Sequence, residues 1–102
     1  MAWNGAVSPC VTLLHTHHCL LYGRPRHVRS FHVGNVSQQD LAAIWRSKQF
    51  RRFRTGVREF DFSPCPSCGG CSLAEANEED CFGNEFPTCG GCLWAKGLLV
   101  CP

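Results

Sequence analysis

Cysteine is the residue type whose number and spacing most clearly indicate chemistry in this sequence. The 102-residue chain holds nine cysteines, and seven of them follow the pattern Cys65-x2-Cys68-x2-Cys71-x9-Cys81-x7-Cys89-x2-Cys92-x8-Cys101. A C-x2-C loop directs two thiolates toward one centre, and adjacent glycines allow the backbone conformations that such loops need. Three cysteines at successive x2 spacing suit an iron–sulfur cubane, which takes three ligands from one tight loop. The spacing therefore predicts a metal centre and favours an iron–sulfur cluster.

Zinc is the alternative metal. The pairs Cys68-x2-Cys71 and Cys89-x2-Cys92 are separated by 17 residues, which fits the spacing of a zinc ribbon. In that arrangement Cys65, Cys81 and Cys101 have no ligand role, whereas an iron–sulfur site could use them. A zinc-ribbon-like module that binds protein or nucleic acid is therefore the alternative function, and spacing alone leaves both metals open.

A disulfide framework is the third use that nine cysteines could have. The first ten residues, Met1 to Cys10, carry no positive charge and no apolar run of the kind that begins a secretory signal. An odd number of cysteines also prevents complete internal pairing. We therefore expect a reducing, cytoplasmic location, where closely spaced cysteines usually hold metal. No stretch approaches the roughly 18 apolar residues of a membrane span, so no membrane partner is expected.

Charge is distributed unevenly along the chain. Residues 1–58 hold nine of the ten Lys and Arg and one acid, Asp40, whereas residues 59–102 hold seven of the eight acids and Lys96. A basic run between residues 46 and 58, with Phe50 and Phe53 inside it, could contact phosphates. A solvated helix face with inward aromatic rings explains the same run, so nucleic acid is not an expected partner. The run Glu75, Glu78, Glu79 and Asp80 is likewise interpreted as solvated surface.

The elements that must position the cysteines divide the chain into three parts. Residues 1–35 are predicted to form a hairpin with loops, including short strands at 11–14 and 28–33. Residues 36–58 are predicted to be helical. The first helix has Ser37 as its N-cap and carries Leu41, Ile44 and Trp45 on one face. A second short helix is capped by Ser47 and ends at Gly56. Residues 59–102 are the cysteine-rich half, with a short helix at 72–80. At this length one domain, 1–102, is expected.

Two further features have ordinary structural explanations. The histidines in His15-Thr16-His17-His18-Cys19 could bind a metal, but adjacent histidines seldom converge on one ion, which favours a polar loop. Cys19 has no C-x2-C neighbour and is expected to be a buried small apolar residue.

Three motifs of this chain carry a resemblance to a known family. The first is Gly5-x4-Cys10, and the second is the G-N motif Gly34-Asn35 followed by Leu41-x2-Ile44-Trp45-x-Ser47. They resemble the Gly-x4-Cys strand and the linking helix of the SPASM domain, the auxiliary iron–sulfur extension of many radical SAM enzymes. The acidic and glycine-rich stretches around Cys81 and Cys89 resemble the subgroup of maturases of tungsten-containing oxidoreductases.

The resemblance implies a small α+β fold whose irregular cysteine-rich loops are stabilised by metal. It implies one or two [4Fe–4S] clusters with these ligands: Cys10, Cys65, Cys68, Cys71, Cys81, Cys89, Cys92 and Cys101. Cys10 would then serve the cluster nearer the radical SAM barrel, and Cys65, Cys68 and Cys71 mainly the farther one. The implied partners are that barrel and a peptide or protein substrate. The C-x3-C-x2-C loop that binds the family's S-adenosylmethionine-cleaving cluster is absent here, so this chain is expected to be inactive alone.

Overall fold

The computed structural model describes residues 1–21, 23–63 and 71–89, and at Leu21 it describes the backbone alone. The chain forms two compact units. The first comprises Met1–His15 and Ser30–Phe60, and the second comprises Thr16–Arg29 and the residues from Asp61 onward. The prediction of one domain across the whole chain stays a prediction.

The first unit contains a short antiparallel pair. Strand β1, Ala6–Val7, pairs with β4, Gly34–Asn35, in the register Ala6↔Asn35 and Val7↔Gly34. Hydrogen bonds from Val36 N to Gly5 O (3.0 Å) and from Val33 N to Val7 O (2.8 Å) extend the pairing at both ends. The pair therefore joins the glycine of the Gly-x4-Cys motif to the later G-N motif.

Two helices follow β4. Helix α1, Leu41–Arg46, begins after Asp40, whose side chain accepts a hydrogen bond from Ala43 N. Helix α2, Lys48–Glu59, begins after Ser47, whose hydroxyl accepts one from Phe50 N, and ends at Phe60 in the left-handed conformation. The prediction of a second helix capped by Ser47 is confirmed. The predictions that Ser37 is the N-cap and that Gly56 ends the helix are wrong, because Asp40 provides the cap and Phe60 N still bonds to Gly56 O.

The apolar core of the first unit lies between β1 and the helices. Val7, Val33, Ile44 and Phe50 are buried together, and Phe31 packs against them. Ile44 is fully buried, whereas Leu41 and Trp45 are 59% and 54% exposed. Of the three side chains predicted to share one face of α1, only Ile44 is buried. In the first unit Trp45 instead makes an edge contact with the Phe50 ring and packs under the Arg54 guanidinium.

The second unit begins with a hairpin. Strand β2, His17–Leu21, pairs antiparallel with β3, Arg24–Val28, in a register that sets His18 opposite His27 and Cys19 opposite Arg26. Gly23 in the connection has φ +77°, a conformation that glycine adopts without steric cost. The predicted strands at 11–14 and 28–33 are wrong: Val11–Leu13 is a 3-10 helix, and β3 ends at Val28.

Beyond the hairpin, a 3-10 helix at Ser72–Glu75 stands where a helix over 72–80 was predicted. Together the short sheets, the helices and the loops give the small α+β architecture that the sequence predicted. Among the described residues, no helix has the length and apolar character needed to cross a bilayer.

Candidate metal centre

The Gly5-x4-Cys10 motif lies at the start of the first unit. Gly5 has φ +85°, and a Cβ at this position would lie 2.7 Å from Asn35 Oδ1. The Asn35 amide in turn donates to Asn4 O and accepts from the backbone and hydroxyl of Ser37. Asn35 thus ties the loop before β1 to the segment after β4, which gives the G-N motif a structural role.

Cys10 is the predicted ligand of the first unit. It is half-buried and precedes the 3-10 helix Val11–Leu13, and its Sγ lies 3.2 Å from Thr12 Oγ1. Ser8 Oγ donates to the Cys10 carbonyl oxygen at 2.9 Å, which fixes the backbone from the other side. The Cys10 thiol is therefore held on a short, ordered turn.

Three predicted ligands of the second unit are described: Cys71, Cys81 and Cys89. Cys71 and Cys81 are exposed, and Cys89 is 8% exposed. Within the part of the chain that the structure describes, no three His, Cys, Asp or Glu side chains are gathered as a metal site. The other four predicted ligands, Cys65, Cys68, Cys92 and Cys101, lie outside the described residues.

Cys81 is positioned by the residue before it. Asp80 is only 4% exposed, and its Oδ1 accepts hydrogen bonds from Phe82 N (2.9 Å) and Asn84 N (3.0 Å). Its Oδ2 accepts from Ser63 N (3.0 Å) and Asn84 Nδ2 (2.8 Å). The three donors from Phe82 and Asn84 fold residues 80–84 into a tight turn, because short Asp side chains readily bond backbone amides two to four residues ahead.

The electrostatics of Asp80 follow from these contacts. Burial of the carboxyl acts to raise its pKa, but the hydrogen bonds from Asn84, Ser63 and Phe82 stabilise the anion and outweigh it, so the pKa of Asp80 is lowered. The carboxylate is therefore the stable form, and it can accept all four hydrogen bonds at neutral pH.

The same turn holds the Cys81 thiol. Cys81 Sγ donates to Ser63 Oγ at 3.1 Å, and Ser63 is itself held by Asp80 through its backbone amide. Asn84 Nδ2 also donates to Asp61 O at 2.7 Å. The segment that precedes the Cys65–Cys71 run is thereby fastened to the loop that carries Cys81.

Asn77 has the corresponding role for Cys89. It is 2% exposed, and its amide makes two hydrogen bonds of 2.9 Å with the Arg29 backbone, one to N and one to O. The backbone carbonyl oxygen of Asn77 accepts a hydrogen bond from Thr88 N at 3.1 Å. This bond fixes the backbone of the residue that precedes Cys89. Asn77 therefore connects the end of β3 to the residue before a predicted ligand.

Sequence reasoning missed Asp80, Asn77 and Asn84. The interpretation of Asp80 as solvated surface is wrong, because the turn it organises buries it. The sequence contains a local signal for this turn, because Asp80 is followed by Gly83 and Asn84, three and four positions later. In the structure Gly83 has φ +88°. An Asp followed by a left-handed glycine is typical of an Asx-type turn.

The sequence profile of the SPASM family, described as an iron–sulfur cluster-binding domain, matches residues 1–72. This chain belongs to the SPASM family. The SPASM domain is also similar to the tungsten-containing aldehyde ferredoxin oxidoreductase cofactor-modifying protein of Pyrococcus furiosus, with 35% identity over 103 residues. That match covers 98% of this chain and 29% of the relative, so the chain spans less than a third of its length. No solved structure matches it significantly.

The family match identifies the bound group as an iron–sulfur cluster and gives no support to the zinc alternative. The described thiols fit such a group, since Cys10, Cys19, Cys71 and Cys81 are free rather than joined in disulfides. Cys19 is half-buried on β2, opposite Arg26. The prediction that Cys19 is buried is therefore wrong, and the prediction that it is not a ligand stays a prediction.

Proposed function

We propose that this SPASM domain holds one or two [4Fe–4S] clusters as the auxiliary module of a larger radical SAM maturase. The predicted ligands are Cys10, Cys65, Cys68, Cys71, Cys81, Cys89, Cys92 and Cys101. The 35% identity to a cofactor-modifying protein across nearly this whole chain supports the parentage. A radical SAM barrel would be its covalent or non-covalent partner, and a cytoplasmic location remains part of the proposal.

The observation that carries the proposal is the presentation of Cys81. Its thiol is exposed on a turn whose conformation is fixed by a buried carboxylate with four donors. A ligand on a rigid turn costs little conformational entropy when it binds metal. Asp80 and Ser63 thus act as positioning residues for Cys81. A cubane that takes three ligands from the Cys65–Cys71 run needs a fourth from another part of the chain, and Cys81 could supply it.

A bound cluster would supply electron transfer. The residues of this chain hold thiolates in place, and the exposed turn at Cys81 and Phe82 leaves room for a peptide to approach. Binding of a peptide or protein substrate, or relay of an electron to it, is the function we propose for the module.

The test is anaerobic reconstitution with iron and sulfide, followed by determination of iron, labile sulfide and zinc. We expect a brown protein with about four iron and four sulfide per cluster. Cys71→Ser should lower the iron and sulfide content and destabilise the holo protein, because a lost ligand forfeits metal-linked folding energy. Cys19→Ser is the matched control and should keep both.

Stoichiometric zinc without labile sulfide would contradict the proposal. Equal loss of iron in Cys19→Ser and Cys71→Ser would instead show that the ligand set is misassigned, while leaving the cluster itself in place.

A further inference from the structure

Two histidines face each other across the β2–β3 hairpin. His18 and His27 are directly opposite in the register. His27 Nδ1 lies 2.9 Å from His18 Nε2, and the two ring centroids are 4.5 Å apart with planes tilted by 54°. They are nine positions apart in sequence, so strand pairing rather than local spacing brings the two nitrogens together.

The separation of these nitrogens matches the ligand spacing of a divalent transition metal. With metal–nitrogen bonds of about 2.0–2.1 Å, two imidazoles at a right angle hold their nitrogens about 2.9 Å apart, and at the tetrahedral angle about 3.3 Å apart. The first value describes adjacent positions of an octahedral or square-planar ion. The hairpin therefore holds the pair at the required distance before any metal binds.

The proton between the rings does not prevent metal binding. In the observed contact one of the two facing nitrogens donates its hydrogen and the other accepts it. When a metal replaces this contact, the donating ring shifts its proton to its other ring nitrogen. Both facing nitrogens then offer a lone pair to the metal. The pair of neutral rings releases no proton in this exchange. His18 is exposed, so its ring can turn to direct both lone pairs at one ion.

The face of the hairpin that carries the pair is accessible within the second unit. Leu20, two residues from His18 and on the same face by strand alternation, is 73% exposed. Arg24 and Arg26 alternate with His27 along β3, and they donate to the carbonyl oxygens of Cys71 and Ala74. The side chains that bond the segment around Cys71 therefore lie on the hairpin face opposite to the one that carries the two histidines.

We propose that His18 and His27 form a two-histidine chelate for a divalent transition-metal ion, with the remaining coordination positions filled by water or an exogenous ligand. Imidazole nitrogen suits Ni²⁺, Cu²⁺ and Zn²⁺, whereas the cluster uses thiolate sulfur. This site needs none of the cysteines, so it does not depend on the proposed cluster assignment. It differs from the expectation of a plain polar loop at 15–19, because the partner of His18 comes from β3 and not from its sequence neighbours.

The experiment is titration of the cluster-loaded 102-residue protein with Ni²⁺ under anaerobic conditions, followed by calorimetry. His18→Gln and His27→Gln should each weaken Ni²⁺ binding by about 10², the low end of the gain from two linked binding groups. The double variant should lose Ni²⁺ binding at this site, because each single variant still keeps one imidazole that binds the ion weakly. His17→Gln is the matched control, since His17 neighbours His18 on β2 and alternates to the other face, and it should retain the wild-type affinity.

Nuclear magnetic resonance of the unsubstituted protein provides a readout that does not depend on the folding of any variant. Substoichiometric Ni²⁺ should broaden the imidazole resonances of His18 and His27 before those of His15, His17 and His32, and a chelator should restore them. Broadening that begins at another histidine, unchanged affinity in both single variants, or an equal loss in His17→Gln would each overturn the proposal.

Discussion

The buried Asp80 carboxylate accepts the backbone N–H of Ser63 at 3.0 Å, although the two residues are 17 positions apart. This contact joins the stretch that leads into the Cys65–Cys71 run to the turn that carries Cys81. The adjacent Cys81 thiol donates to the Ser63 hydroxyl. The Asp80 carboxylate therefore fixes the backbone of Ser63, and Ser63 in turn holds the Cys81 thiol.

Replacement of Asp80 by Ala should destabilise the holo protein by about 2–3 kcal/mol, because it leaves buried donors without an acceptor. Denaturant unfolding of the reconstituted protein measures this cost. Glu79→Ala removes a carboxylate from the neighbouring exposed position and should change stability by less than about 0.5 kcal/mol. Similar losses in the two variants would show that the Asp80 hydrogen bonds contribute little.

The stabilisation from Asp80 should not vary between pH 7 and pH 5. Its pKa in the folded protein is lowered from an ordinary value of 3.8, so its contribution is fully present above that value and is lost only as pH falls through the lowered pKa. The measurement is the difference in unfolding free energy between the wild type and Asp80→Asn, whose amide does not titrate. A difference that grows as the pH falls from 7 to 5 would mean that burial outweighs the hydrogen bonds and raises the pKa of Asp80 in the folded protein.

Gly5→Ala should be more damaging than Gly23→Ala. Both glycines have positive φ, at +85° and +77°, so both substitutions carry a backbone cost of about 1–2 kcal/mol. At Gly5 the new Cβ would also meet Asn35 Oδ1 at 2.7 Å, whereas at Gly23 it meets no atom of the described residues within 4 Å. Thermal unfolding should show an extra loss of about 1–3 kcal/mol for Gly5→Ala. Equal losses would show that Asn35 moves aside freely.

The purified chain should not cleave S-adenosylmethionine reductively. The C-x3-C-x2-C loop that the resemblance associates with this reaction does not occur among the nine cysteines. A chromatographic assay for 5′-deoxyadenosine, with dithionite as reductant and the reconstituted protein, measures the reaction. Product above a no-protein control would show that one cluster site of this chain stays open to the cofactor.

The sequence by itself indicated a metal centre and determined the local elements whose signals are short-range. The cysteine spacing favoured an iron–sulfur cluster, Ser47 indicated the start of α2, and the Gly5-x4-Cys10 and Gly34-Asn35 motifs resembled those of the SPASM family. These features depend on ligand chemistry, on one capping side chain or on glycine geometry, all of which are contained in a few neighbouring residues.

Only the tertiary structure decided which polar side chains are buried and which residues meet across the chain. Asp80 belongs to an acidic run that composition describes as surface, yet Ser63 and Asn84 supply the hydrogen bonds that make its burial possible. Ile44 is enclosed while Leu41 is not, because Val7 and Val33 cover only part of the α1 surface. His18 meets His27 because the hairpin register pairs them. Such contacts depend on strand register and on partners distant in sequence, and hydrophobic periodicity records neither.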